Sequence, residues 1–176
     1  PSGSSGGSAS GVAANFGLVG IGEDTGGSVR GPAAVSNLVG LRPTLPLVSR
    51  FGMLPANPTQ DTMGPMTRTV ADAAALLDVI AGYDPRDPLT AYAVGNIPRS
   101  YATALRADAL KEARIGVLRT PSRDTTSRGT TPRDSTPRDS LAGYQQVRTV
   151  IDAAIEQLKA LGASVVDSVS LPRRDQ

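Results

Sequence analysis

The sequence contains no cysteine and no histidine among its 176 residues. Without cysteine the chain forms no disulfide, no thiolate nucleophile and no cysteine-bound metal site. Without histidine it holds neither a Ser-His-Asp triad nor a histidine-bound metal. A serine nucleophile here would therefore need another base. Lysine is the usual substitute, and the chain has only Lys111 and Lys159.

Aromatic residues and net charge are also low. The chain has four tyrosines, two phenylalanines and no tryptophan, which leaves little capacity to stack on single-stranded nucleic acid. Its net charge is +2 and its arginines are scattered, so the sequence shows no basic face. No apolar run approaches the length of a membrane span. We expect no direct nucleic-acid or membrane partner and a cytoplasmic location.

Hydrophobic periodicity predicts alternating helices and strands. Helices are predicted at 8–16, 31–40, between Thr69 and Gly82, near 100–112 and at 141–161, and strands at 17–22, 114–118 and 163–171. Residues 41–66 are rich in proline and glycine and are predicted to be irregular. The order strand, helix, strand at the end of the chain indicates a βαβ crossover and hence an α/β fold.

The helix after Thr69 has the clearest boundaries. Thr69 is a candidate N-cap with Asp72 as its capping-box partner, and Gly82 is a candidate stop. Its predicted apolar face comprises Val70, Leu76, Leu77 and Ile80.

Residues 120–140 repeat the motif TPRDS and contain almost no apolar side chain. Such a segment cannot bury enough surface to offset the entropy of ordering, so we expect a disordered insertion. The predicted organisation is a core over 1–119, the insertion over 120–140, and a helix and strand over 141–176 that continue the same domain.

Two clusters of glycine and serine stand out, SGSSGG at 2–7 and DTGGS at 24–28. Glycines allow successive N–H groups to converge on an anion, which could be a phosphate or the oxyanion of an acyl intermediate. A phosphate is the weaker interpretation because the chain has no P-loop motif. A strand that leads into Gly-Gly-Ser suits a nucleophilic serine. Two ordinary tight turns are the alternative.

The ordered motifs decide between these interpretations. SSGGS at 4–8, EDTGGSVRGPAA at 23–34, GLRPT at 40–44 and DTMGPMTRTVADAAALLDVIAG at 61–82 resemble the amidase signature family. The resemblance covers nearly the whole chain except the TPRDS insertion. It implies part of a three-layer α/β/α fold with a mixed central sheet, and a Ser-cisSer-Lys triad that hydrolyses amides without a cofactor or metal.

By position in those motifs, the resemblance implies that Ser28 is the nucleophile and that Ser4 is the bridging serine that follows a cis peptide bond. The N–H groups of Thr25, Gly26, Gly27 and Ser28 are implied to form the oxyanion hole. Asp24, Arg30 and Ser5 are implied to support them. The two hydroxyls are then expected roughly 2.6–3.2 Å apart, with the four amides converging near Ser28.

Two departures from the family pattern stand out. The triad lysine lies upstream of the Ser-Ser-Gly-Gly loop in the family, and this sequence begins at that loop. We therefore expect an internal fragment that is inactive alone, because Lys111 and Lys159 lie on the wrong side of the motif. Glu23 stands where many members carry Thr or Ser. Arg42 and Arg68 are expected to form salt bridges within the fold, and Asp61 to cap or pair locally.

The resemblance implies an amidohydrolase that cleaves a small-molecule amide through an acyl-serine intermediate. An A-type subunit of glutamyl-tRNA amidotransferase, which releases ammonia for a partner, is the alternative. The possible partners are accordingly amidotransferase subunits or a second copy of the chain.

Overall fold

The computed structural model describes residues 2–118, 140–167 and 169. The chain divides into two compact units with the boundary between Leu105 and Arg106. The predicted insertion over 120–140 lies outside the described residues, apart from Ser140, where the last helix begins. No helix in the described ranges combines the length and apolar character needed to cross a bilayer.

The first unit is a small antiparallel sheet with helices packed on it. Its elements are α1 (Gly6–Ala13), β1 (Gly20–Asp24), α2 (Arg30–Val35), β2 (Val39–Gly40), β3 (Thr62–Thr67) and α3 (Val70–Ile80), then 3-10 helices at Pro88–Ala93 and Ala102–Ala104. The strand order is β1-β3-β2, and the register places Gly22 opposite Gly64 and Asp24 opposite Thr62. Asp24 is thus the last residue of an edge strand.

The core of this unit is built from small side chains. Ala9 of α1, Val29, Ala33 of α2 and Met66 of β3 are buried against one another. Small residues allow close approach, because a Cβ added at Gly40 of β2 would lie 2.5 Å from the Cβ of Ala33. Tight packing of α1 and α2 against the sheet fixes the loops that precede both helices.

Strand β3 corrects the expectation that residues 41–66 are irregular throughout. Its sequence TMGPMT has no alternation, and Pro65 lacks the N–H that a strand residue normally contributes. Gly64 is required by its neighbour, because a Cβ there would lie 2.0 Å from the carbonyl oxygen of Leu41. The contact with Leu41 therefore explains Gly64, and hydrophobic periodicity could not predict it.

Two other predictions about helices are wrong in extent. The helix predicted over 31–40 ends at Val35 because Asn37 adopts a left-handed conformation with φ 55°, and the chain then enters β2. The predicted helical stretch near 100–112 contains only the 3-10 helix Ala102–Ala104.

The boundaries predicted for α3 are confirmed. Thr69 accepts a hydrogen bond from the backbone N–H of Asp72 at 3.0 Å, and Gly82 follows the helix end with φ +155°. Of its predicted apolar face, Leu77 is buried whereas Val70 is exposed, and Ala73 and Ala74 are buried beside Leu77.

The second unit contains the predicted βαβ arrangement. Strand β4 (Arg114–Val117) pairs in parallel with β5 (Ser164–Asp167), and α4 (Ser140–Ala160) connects them. Gly162, with φ +97°, ends the helix as predicted. Ile155 on α4 is buried, but Val147 and Val150 of the predicted apolar face are exposed among the described residues. With antiparallel and parallel pairs both present, the α/β class is confirmed.

Candidate active site

The two glycine- and serine-rich loops lie side by side, as expected. The first precedes α1, and the second connects β1 to α2. The backbone N–H of Ser5 donates to the carbonyl oxygen of Ser28 at 3.2 Å, and the Ser5 hydroxyl donates to the carbonyl oxygen of Glu23 at 3.2 Å. Gly22 allows this approach, because a Cβ at that position would lie 2.6 Å from the Ser5 Oγ.

The two serines implied as catalytic are differently exposed. Ser4 is exposed and follows a cis peptide bond from Gly3, at the position that the family resemblance implies. Ser28 is half-buried. In the described part of the chain, no hydrogen bond joins the hydroxyls of Ser4 and Ser28, so the expected direct contact is not formed here. The loops are instead joined through Ser5.

Asp24 organises the loop that carries Ser28. Its side chain is fully buried and accepts hydrogen bonds from the backbone N–H groups of Gly27 at 2.7 Å, Val29 at 3.1 Å and Arg30 at 3.3 Å. The Arg30 guanidinium adds two more, at 3.0 and 3.1 Å. Arg42 approaches the same carboxylate at 3.4 Å. The expected Asp24–Arg30 pair is therefore present.

These contacts determine the charge state of Asp24. Burial opposes the ionised form, but the Arg30 guanidinium and the N–H groups of Val29, Gly27 and Arg30 outweigh it and hold the pKa of Asp24 well below its usual range. The carboxylate is therefore a permanent anion at physiological pH. Its hydrogen bonds to the N–H groups of Gly27, Val29 and Arg30 hold the turn that connects β1 to α2.

Of the four amides expected to form an oxyanion hole, that of Gly27 is already bound within the protein. The N–H of Gly27 donates to Asp24, and Gly27 has φ +131°, a conformation that side chains disfavour. Within the described ranges, the N–H groups of Thr25, Gly26 and Ser28 donate to no protein group. A Cβ at Gly26 or Gly27 would meet no atom within 4 Å, so the space beside the loop is open.

Asp61 has a larger role than the local cap expected from the sequence. It is fully buried, and one carboxylate oxygen accepts from the N–H groups of Ala56 at 2.9 Å and Asn57 at 2.7 Å. The other oxygen accepts from the Thr25 hydroxyl at 2.6 Å. No short-range pattern could reveal this contact, because the two residues are 36 positions apart.

Burial also opposes ionisation of Asp61. The hydrogen bonds from Thr25, Asn57 and Ala56, together with the charge of Arg50, nevertheless lower the pKa of Asp61. Asp61 is therefore charged at physiological pH and acts only as an acceptor toward the Thr25 hydroxyl.

Glu23 is the unexplained polar group of this region. Its Oε1 atom is buried and has no hydrogen-bond partner among the described residues.

Of the two salt bridges expected for Arg42 and Arg68, the one of Arg42 is formed. Arg42 pairs with Asp24 and also donates to the Gln60 carbonyl at 2.6 Å, whereas Arg68 donates to backbone carbonyls that include that of Val12.

Both lysines lie in the second unit. Lys159 on α4 pairs with Glu156 at 2.8 Å, and Lys111 precedes β4. The first unit, which holds the two loops, contains no lysine.

Comparison with known proteins places this arrangement in a family. The family model described as Amidase matches residues 1–176, so the chain belongs to the amidase family. The A subunit of glutamyl-tRNA(Gln) amidotransferase from Microcystis aeruginosa is 42% identical over 98% of this chain and 31% of that protein. Its counterpart from Acaryochloris marina is 45% identical, with the same two coverages.

A solved structure shows the same fold. Peptide amidase from Stenotrophomonas maltophilia is 43% identical with a TM-score of 0.80, over 97% of this chain and 31% of that one. The expected resemblance and α/β fold class are therefore confirmed. The chain spans 31% of the length of the first two relatives.

Proposed function

We propose that this chain carries the nucleophile of an amidohydrolase, with Ser28 attacking the carbonyl carbon of an amide. The observation that carries the proposal is the loop at 25–28, which Asp24 holds rigidly while the amides of Thr25, Gly26 and Ser28 remain without an acceptor in the described part of the chain. N–H groups fixed beside a nucleophile before reaction can stabilise the oxyanion of a tetrahedral intermediate.

The proposed reaction consists of acylation of Ser28 followed by hydrolysis of the acyl-serine ester. Ser28 Oγ forms a bond to the carbonyl carbon as its proton passes through the Ser4 hydroxyl toward the base. The carbon–nitrogen bond then breaks, and the nitrogen leaves as an amine or ammonia that has taken up that proton. Water subsequently attacks the acyl-serine ester, which releases the carboxylic acid and restores the Ser28 hydroxyl.

A serine-directed fluorophosphonate tests the nucleophile. In the natural full-length protein that contains this sequence, labelling is expected at Ser28 and is expected to vanish in Ser28→Ala. Ser10→Ala is the matched control, because Ser10 is exposed on α1 and lies outside both loops. Labelling of Ser28→Ala at the wild-type level would refute Ser28 as the nucleophile.

An amidotransferase subunit is the second candidate. It is favoured by the curated relatives described above, both of which are A subunits of an amidotransferase. In that role the same chemistry at Ser28 releases ammonia for a partner. Co-purification of a larger tRNA-binding subunit would favour this candidate, and amide turnover in its absence would favour a free amidase.

The base is proposed to come from outside residues 1–105, because this unit has no lysine. The family pattern implies a lysine upstream of Ser4, which we propose completes the triad. A cytoplasmic location and a homodimer stay predictions.

A further inference from the structure

We infer that Asp61 is a positioning residue for the proposed reaction, which holds the loop at 25–28 in place through the hydroxyl of Thr25. This inference rests on the proposed function of that loop. It assigns to the turn at 56–61 the support of an oxyanion hole that lies in a different part of the sequence.

The contact between Asp61 and Thr25 is short and buried. The Thr25 hydroxyl donates to Asp61 Oδ1 at 2.6 Å, and Asp61 is 0% exposed. A hydroxyl bound to a carboxylate at this distance forms a charge-assisted hydrogen bond, which is stronger than a neutral one. The contact therefore fixes the Thr25 side chain and restrains the backbone N–H of the same residue.

The carboxylate that receives this bond is itself immobilised. Asp61 Oδ2 accepts from the N–H groups of Ala56 and Asn57, so the side chain is tied to its own turn while Oδ1 reaches Thr25. Because the Asp61 carboxylate is held by its own turn, it cannot move together with Thr25. A displacement of the loop would therefore break the hydrogen bond from the Thr25 hydroxyl.

Arg42 makes a second connection between the same two segments. Its guanidinium donates to the Gln60 carbonyl at 2.6 Å and to the Asp24 carbonyl at 3.4 Å. The turn at 56–61 thus holds the loop on both sides of the Asp24–Thr25 peptide bond. Asp24 restrains the far end of the loop through Gly27 and Val29, which leaves Thr25 as the end that depends on Asp61.

The consequence for the reaction follows from the N–H of Thr25, which is free of protein acceptors in the described ranges. Loss of one oxyanion donor typically costs 10²- to 10³-fold in kcat, and a misplacement of about 1 Å can cost about 10²-fold. Since the donor would be displaced and not removed, Thr25→Val is expected to lower kcat roughly 10- to 100-fold. KM should change little, because the substrate binds before the oxyanion forms.

The test compares Thr25→Val with Thr25→Ser and Thr149→Val in the natural full-length protein. Valine keeps the branched shape and removes only the hydroxyl. Thr25→Ser is expected to recover most of kcat because serine restores the donor. Thr149 is the matched control, since it is exposed on α4 and its hydroxyl bonds within that helix. Thermal denaturation of each variant checks folding.

A second readout does not depend on catalysis. Hydrogen exchange of a peptide spanning 24–30 is expected to accelerate in Thr25→Val and in Asp61→Asn relative to wild type, but not in Thr149→Val. An asparagine side chain cannot accept from Ala56, Asn57 and Thr25 with both of its terminal atoms, so this variant loosens the same anchor from the other side.

The outcomes separate the inference from the proposed function. A wild-type protein without amide turnover or fluorophosphonate labelling would refute the function, and the exchange rates would still decide whether Asp61 holds the loop. A folded Thr25→Val variant with wild-type kcat and wild-type exchange at 24–30 would overturn the inference and leave Ser28 as nucleophile.

Discussion

Asp24 combines two properties that are usually in conflict, full burial and a permanent negative charge. Five hydrogen bonds resolve the conflict, three from backbone N–H groups and two from the Arg30 guanidinium. Two of these donors, the N–H groups of Gly27 and Val29, belong to the loop that contains Ser28, and the other three belong to Arg30 at the start of α2. The charge of Asp24 therefore restrains the loop, and the Arg30 guanidinium, although its side chain is half-exposed, is the largest single cause that lowers the pKa of Asp24.

Replacement of this carboxylate by an amide should be costly. Asp24→Asn keeps the volume but removes the charge and replaces one acceptor by a donor, so we expect a loss of roughly 3 kcal/mol in unfolding free energy, as for other broken buried pairs. Asp108→Asn is the control because Asp108 is exposed and is expected to change stability by less than about 0.5 kcal/mol. Urea denaturation measures both.

The same difference has a defined pH dependence. The pKa of Asp24 is lowered by folding, so its contribution is complete above the unfolded pKa of about 3.9 and is lost as pH falls toward the folded pKa. The gap between wild type and Asp24→Asn should be constant from pH 7 to pH 5. Below pH 4 it should narrow by about 1.4 kcal/mol per unit. A gap that widens on acidification would contradict the assigned charge state.

At the scale of elements, the position of the first loop depends on strand β1. Gly22 lies beneath Ser5, and a Cβ there would come within 2.8 Å of the Ser5 Cβ and 3.1 Å of a methyl group of Val29. Both neighbours are part of the structure around Ser28. A side chain at position 22 would therefore displace the loop that contains Ser5.

Gly22→Ala is expected to lower the unfolding free energy by roughly 1–3 kcal/mol, the usual cost of overpacking. It should also abolish fluorophosphonate labelling of Ser28, because Ser5 must shift and its N–H bonds to Ser28. Gly11→Ala is the matched control. Its added Cβ meets no atom within 4 Å on α1, so it should be neutral or stabilise by about 0.5–1 kcal/mol. Equal stabilities for the two variants would contradict the close approach.

The elements that the sequence predicts well are those with local signals. Thr69, Asp72 and Gly82 mark both ends of α3, and the apolar repeat of α4 followed by Gly162 marks the crossover to β5. Strand β3 is not predicted from the sequence because Gly64 is required by the close approach of Leu41, a residue far away along the chain. The need for this glycine arises from a tertiary contact, which hydrophobic periodicity does not predict.

The contacts of the candidate site also differ in whether the sequence predicts them. Ordered motifs nominate Ser4, Ser28, Asp24 and Arg30, and the structure shows the Asp24–Arg30 bond, which joins residues only six positions apart. The sequence predicts only a local role for Asp61, whereas its contact with Thr25 depends on how β1 and β3 pair. The bond from the Gly27 N–H to Asp24 also escapes prediction, because a motif names residues but not the direction of each amide.

At the scale of the whole molecule, both lysines fall in the unit that lacks the serine loops. We expect the 176-residue chain, expressed alone, to show no measurable amide turnover. Without the lysine that the family pattern implies as proton acceptor, Ser28 is expected to have the reactivity of an ordinary hydroxyl. The measurement is ammonia release from simple amides by the purified chain, with the full-length protein as the positive control.

Lys111→Ala combined with Lys159→Ala completes this experiment. If the chain alone did turn over amides and lost that activity in the double variant, one of these lysines would be the base. Activity that survived both substitutions would reveal a proton acceptor other than lysine. Either result would contradict the expectation that the base lies elsewhere.

The hydrogen bonds around Asp24 and Asp61 also differ in the entropic cost of closing the segments that they join. The contacts of Asp24 with its own turn close segments of three to six residues, the Ser5 hydroxyl bond closes 18, and the Thr25–Asp61 bond closes 36. Each doubling of the length of a flexible loop adds about 0.6 kcal/mol to the free-energy cost of closing it. The Asp24 turn therefore closes at the least entropic cost. The Thr25–Asp61 contact would cost the most in a flexible chain, but the pairing of β1 with β3 meets that cost, because its register already places Asp24 opposite Thr62.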